Sequence, residues 1–125
     1  MNDAKKEKQK KNLVEAGLMD QNDTLVDYLQ ASYVQKVWKI GQWKQGWAYF
    51  TEARLICITG PLDDNIVIPY QNIRQIGKCS QGFFPMGIEI TYETQESGLT
   101  TDKLSMTKRE KWIKFLEEKS GVTCP

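Results

Sequence analysis

Lys36, Trp38, Lys39, Trp43 and Lys44 place three cations and two indoles within a short span. Such interleaving suits an anionic surface, because ammonium groups meet phosphate while tryptophan rings settle between water and hydrocarbon. The same mixture of charge and flat rings can serve nucleic acid by stacking and charge. The plainer alternative is a solvated strand edge with packed tryptophans. A second group is Phe83, Phe84 and Met86, set among Gly82, Pro85 and Gly87. Two adjacent phenylalanines in a loop do not both point inward easily, so an exposed interaction tip is one reading. The alternative is that both fold back and close the mouth of a barrel.

Acid–base chemistry has thinner support. Glu89, Glu93 and Asp102 are the carboxylates to consider, but the sequence offers nothing to pair them. The chain has no histidine, and no activated nucleophile accompanies these groups. We therefore expect no enzyme and no cofactor. Cys57, Cys79 and Cys124 are odd in number and widely spaced, which fits neither a disulfide framework nor a zinc site. Reduced thiols are expected, with Cys57 packed inside a strand. Arg54 is expected to make a structural contact at a hairpin.

Charge and size narrow the class further. The 17 basic and 16 acidic residues leave a net charge of +1, whereas a nucleic-acid-binding domain carries a basic excess. No nucleic acid is expected as partner. The 125 residues point to one domain, with roughly two-thirds of the unfolded chain's surface buried on folding. Hydrophobic residues make up 40% and charged residues 26%, an ordinary balance for a soluble globular protein. No apolar run approaches the ~20 residues of a membrane span. The N-terminus is basic but lacks the apolar stretch of a secretory signal. The expected location is cytoplasmic, with peripheral membrane contact as an alternative.

The elements that must position these groups read as follows. Residues 1–23 form a basic extension carrying Lys5, Lys6, Lys8, Lys10 and Lys11. A helix is expected over 4–19, with Leu13, Val14 and Leu18 on one face. Residues 25–37 are rich in β-branched and aromatic types and predict a strand, with a helical turn at its start as the competing reading. Residues 46–51 and 54–59 are separated only by Glu52-Ala53 and predict a hairpin, although a tight turn prefers Asn-Gly or Asp-Gly. After a turn at 60–65, Pro69 confines 65–70 to a sheet edge or ends it there. A strand over 73–79, a loop over 80–85 and a cleanly alternating strand over 86–94 follow. Residues 99–106 supply a last strand.

The final element is an amphipathic helix. Thr107 and Glu110 have the spacing of a capping box. Trp112, Ile113, Phe115 and Leu116 form one apolar stripe, and Gly121 provides the stop. That stripe needs a partner, which an all-strand run supplies at one open end. The expected architecture is mainly β within the α+β class: about seven antiparallel strands in two orthogonal sheets, a C-terminal capping helix and an N-terminal helix. Residues 24–120 form the domain and 121–125 a short tail.

Taken together, Gly46-Trp47-Ala48-Tyr49-Phe50-Thr51 and Arg54-Leu55-Ile56 resemble the central hairpin of bacterial PH-like domains of the GRAM type. Ile66-Val67-Ile68-Pro69-Tyr70 and the following Ile73 and Ile76 are similar to that family's next strand pair. The alternating strand and the helix around Trp112 follow in family order. The match covers residues 25–119. The resemblance implies a seven-stranded, partly open barrel plugged at one end by the C-terminal helix. It also implies binding of lipid head groups, peptides or proteins rather than catalysis. Lipid-binding PH domains hold inositol phosphates with a basic cluster in the first hairpin loop. The comparable region here offers Lys36, Lys39 and Lys44 with no adjacent arginine. The expected function is therefore a non-enzymatic module for protein association or self-assembly. Peripheral binding to an anionic membrane through the Lys/Trp patch is the alternative.

Overall fold

A computed structural model describes residues 3–35, 43–59, 64–96 and 98–125. In chain order the elements are α1 (Asp3–Glu15), β1 (Leu25–Gln35), β2 (Lys44–Thr51), β3 (Arg54–Thr59) and β4 (Asp64–Pro69). A single 3-10 turn, Tyr70–Asn72, leads to β5 (Ile73–Gln81), β6 (Phe84–Thr94), β7 (Gly98–Ser105) and α2 (Arg109–Ser120). The seven strands are antiparallel and lie in the order β4-β3-β2-β1-β7-β6-β5.

β1 is the hub of this sheet. Leu25 to Tyr33 pairs with β2, and Ser32 to Gln35 pairs with β7. One long strand thus serves both halves and joins them in one continuous ladder. β4 and β5 are the two edges. Pro69 ends β4 on that edge, where its missing N–H costs no ladder bond.

The central hairpin forms with Glu52-Ala53 as its connection, and Thr51 explains how. Its hydroxyl oxygen accepts the backbone N–H groups of Ala53 at 3.1 Å and Arg54 at 2.9 Å. A side-chain oxygen therefore closes a turn that would otherwise call for Asn-Gly. Arg54 then reaches back, donating to the Leu18 carbonyl at 3.4 Å and pairing with Asp20 at 3.1 Å. It fastens the N-terminal segment to the hairpin.

Inward-facing residues of all seven strands, with α2, make the main core. Trp112 stacks on Phe50 with ring centroids 4.0 Å apart. Phe115 meets Phe50 and Tyr70 edge-on at 5.7 and 5.8 Å. Such aromatic pairs contribute about 0.5–1.5 kcal/mol each beyond the area they bury. A second cluster lies on the outer face of the hairpin, where Leu13 and Met19 cover Tyr49 and Ile56.

Both helices begin or end differently from the sequence pattern. α1 stops at Glu15 instead of running to residue 19. Gly17 is left-handed, with φ 77°. Its N–H bonds to the Val14 carbonyl, and the Leu18 N–H bonds to the Leu13 carbonyl. That pair of bonds is a Schellman stop. At α2 the expected capping box does not form. Lys108 occupies the cap with φ 57° and no side-chain bond, so Thr107 lies one residue outside the helix start. Glu110 faces Lys78 at 3.1 Å instead of reaching back. Gly121, with φ 77°, ends α2 as its position predicted.

Candidate interaction surface

Phe83 and Phe84 stand at the tip of the β5–β6 hairpin. The expected loop over 80–85 is in fact a two-residue turn, Gly82-Phe83, flanked by the paired residues Gln81 and Phe84. Gly82 takes φ 58° at the first central position, where such turns favour glycine. The hairpin pushes both rings into solvent: Phe83 is fully exposed and Phe84 is 64% exposed. They do not fold back over the barrel. Met86 turns half inward and lines a cleft beside the tip.

That cleft has a volume of about 510 Å³ and runs between β1, β2 and the β5–β6 hairpin. Its walls include Gln30, Gln45, Trp47, Ile58, Gln81 and Thr107. Gly46 in its wall is required by close packing. A Cβ there would sit 2.0 Å from the Ile58 carbonyl oxygen.

Beyond Trp47 the same outer face continues as an aromatic row. Tyr28 lies 5.9 Å from Trp47 and 5.7 Å from Tyr49, centroid to centroid. Alternation along β1 and β2 sends these three side chains outward, opposite the inward Ala48 and Phe50. α1 crosses above this row, and the space between is a groove of about 450 Å³ lined by Lys5, Lys8, Gln9, Tyr28, Trp47 and Tyr49. The sequence reading did not assemble this groove. Its signals were the outward aromatics at 28, 47 and 49 and the i, i+3 lysines of α1.

Of the residues singled out for an anionic surface, Lys36, Trp38 and Lys39 lie outside the described residues. Trp43 is half-buried just before β2, and Lys44 is exposed at its first position, opposite Tyr33.

The three carboxylates considered for catalysis do not converge. Glu93 is exposed and pairs with Arg74 at 2.8 Å. Glu89 shares its outward parity, whereas Asp102 lies opposite Ile90 and faces the core. Asp102 does have partners that the sequence did not suggest. Its carboxylate accepts the hydroxyls of Tyr33 and, at 2.5 Å, Tyr92. Burial raises the Tyr33 pKa well above its ordinary value, and Cys57 and Asp102 add to the effect. Burial and the hydrogen bond to Asp102 raise that of Tyr92. Burial pushes the Cys57 thiol up as well, with Asp102 as the second cause. This network ties β1, β6 and β7 together inside the barrel. It holds protonated groups away from solvent, the opposite of an activated nucleophile. Cys57, Cys79 and Cys124 are all unpaired thiols.

No family model matches the sequence, and no curated protein does. Solved structures do. The C-terminal domain of an unknown protein from Leishmania infantum superposes with a TM-score of 0.66 at 18% identity, covering 91% of this chain and 95% of that one. The Vps36 N-terminal PH domain gives 0.56 at 16% identity, covering 83% and 81%. The Slm1 PH domain in complex with inositol-4-phosphate gives 0.55 at 9% identity, covering 80% and 97%. The chain has a PH-like fold. At these identities the likeness extends to the fold alone. Among the described residues no helix is long and apolar enough to cross a membrane.

Proposed function

We propose that this chain is a non-enzymatic PH-like interaction module of the bacterial GRAM type. It associates with a protein partner, or with a second copy, through the Phe83–Phe84 tip and the neighbouring Trp47 face. The carrying observation is the exposure of two adjacent phenylalanines on a tight, glycine-defined hairpin. Exposing two large apolar rings in water is unfavourable by roughly 1.5–3 kcal/mol each relative to burial, so a partner that covers them gains that energy. A hairpin with only a two-residue turn loses little freedom on binding, which preserves the gain. Catalysis has no comparable support, because the buried carboxylate is already bonded to two tyrosines.

A second reading is peripheral contact with an anionic membrane. The phenylalanine tip would insert, and exposed Lys44, with Lys36 and Lys39 of the sequence patch, would meet head groups. The Slm1 PH domain in complex with inositol-4-phosphate gives this reading a precedent on the same fold. Two experiments separate the readings. Light scattering at increasing concentration should show self-association that Phe83→Asp removes, if the partner is a second copy. Co-sedimentation with phosphatidylserine vesicles, against neutral vesicles and high salt, should show no retention under the preferred reading. Salt-sensitive retention lost in Lys36→Glu/Lys39→Glu/Lys44→Glu would replace it with the membrane reading.

A further inference from the structure

We infer that the groove between α1 and the outer face of β1–β2 is a second binding site, for an acidic peptide segment carrying an aromatic side chain. The inference rests on the reading of the chain as a protein-binding module and specifies the partner's chemistry. The groove has a built floor and a charged wall. Tyr28 and Tyr49 stack with 20° between their planes, and Trp47 tilts against Tyr28 by 48°. Trp47 stays 40% exposed, so a ring face is open to a ligand. Lys5 and Lys8 are exposed one helical turn apart, so both ammonium groups overhang the same side. Gln9 is held in place, its amide oxygen accepting the Tyr49 hydroxyl at 3.5 Å. No carboxylate is among the groove's described lining residues.

Charge complementarity with the two lysines selects an anionic ligand, and the exposed indole suits one with an aromatic anchor. Geometry then chooses among anions. Tyr28 and Tyr49 are set back beside α1, where a flat bilayer fits poorly, whereas a single peptide segment can lie along the groove and still meet exposed Trp47. A nucleic-acid strand needs a track of cations along its phosphates, and this groove offers two lysines in a chain of net charge +1. Trp47 also lines the 510 Å³ cleft, whose wall includes Gln81 and Met86 of the β5–β6 hairpin that carries the tip.

The test uses the full chain and a fluorescein-labelled heptapeptide, Glu-Asp-Glu-Phe-Glu-Asp-Glu, with its all-lysine-for-acid counterpart as control. Fluorescence polarisation reads affinity, and the indole N–H resonance of Trp47, assigned with Trp47→Phe, reports the place. The expected result is binding of the acidic peptide alone, with the Trp47 indole resonance shifted. Lys5→Glu/Lys8→Glu should weaken it about tenfold or more, and Lys5→Gln/Lys8→Gln by less. Circular dichroism keeps loss of α1 distinguishable from loss of charge. Phe83→Ala/Phe84→Ala should leave peptide binding unchanged, so failure of this site and failure of the tip read out separately. Binding that is indifferent to both lysine pairs, or that leaves Trp47 unshifted, overturns the inference. So does a Trp47 shift caused by oligo-dT or phosphatidylserine vesicles and not by the peptide.

Discussion

At the scale of single residues, Asp102 is the most consequential polar group. It is 3% exposed and holds two buried hydroxyls, so Asp102→Ala strands both. Leaving a buried hydroxyl without its partner costs about 1–3 kcal/mol each, and urea denaturation should show a drop of about 2 kcal/mol or more. A change within 0.5 kcal/mol would contradict the network. The same cluster, together with buried Tyr70, whose hydroxyl donates to the Thr51 carbonyl at 2.7 Å, sets an alkaline limit. Tyr33, Tyr70 and Tyr92 all have pKa values raised above the ordinary 10.0, and Cys57 above the ordinary 9.0, chiefly by burial. The unfolded chain therefore loses these protons first. Stability is full below pH 9 and falls as pH rises through 9 and then 10, by up to about 1.4 kcal/mol per pH unit for each group. Unfolding midpoints measured from pH 8 to 11 should decline throughout the upper half of that range. A flat profile would show that these groups titrate alike in both states.

At the scale of elements, two sites separate local rule from tertiary outcome. Thr107 has the spacing of a helix cap, yet the helix starts after a left-handed Lys108. Thr107→Ala should thus change stability by less than about 0.5 kcal/mol, where a working cap would cost ~1. Lys108→Gly should stabilise by up to about 1 kcal/mol, because glycine adopts φ 57° without a Cβ clash. Thermal unfolding checks both, and a destabilised Thr107→Ala protein would restore the capping box. Gly46 behaves oppositely. A Cβ would fall 2.0 Å from backbone oxygen that cannot swing aside, so Gly46→Ala should disrupt the β2–β3 pairing and cost several kcal/mol. Much of the strand order was legible because alternation is a local signal: residues 86–94 lie within β6 with Ile88, Ile90 and Tyr92 buried. The hairpin was legible despite its unusual turn. What was not legible depends on contacts far apart in sequence. Tyr33 and Asp102 are 69 positions apart, and α1 reaches Tyr49 through Gln9 across 40. Nothing in the spacing of either pair foretells its meeting.

At the scale of the whole molecule, the open sheet with α2 packed into it provides a rigid body on which short hairpins can present side chains. That division assigns stability to the interior and recognition to the outer face. Trp112→Ala should therefore unfold the chain by about 3–5 kcal/mol, while substitutions at Phe83 and Phe84 should leave the melting temperature unchanged. The tip residues were legible as a pair of phenylalanines in a turn, but their exposure was not. It follows from Gly82, which shortens the expected loop to two residues and leaves no slack for folding back.

The most direct test is quantitative affinity capture from the chain's own cells, with light scattering of the purified protein alongside. Wild type is compared with a folded Phe83→Ala/Phe84→Ala variant. The account predicts a specific companion, either another protein or a second copy, that falls about tenfold or more in the variant while the melting temperature holds. Equal companions in equal amounts on both baits, with the same solution mass, would contradict it.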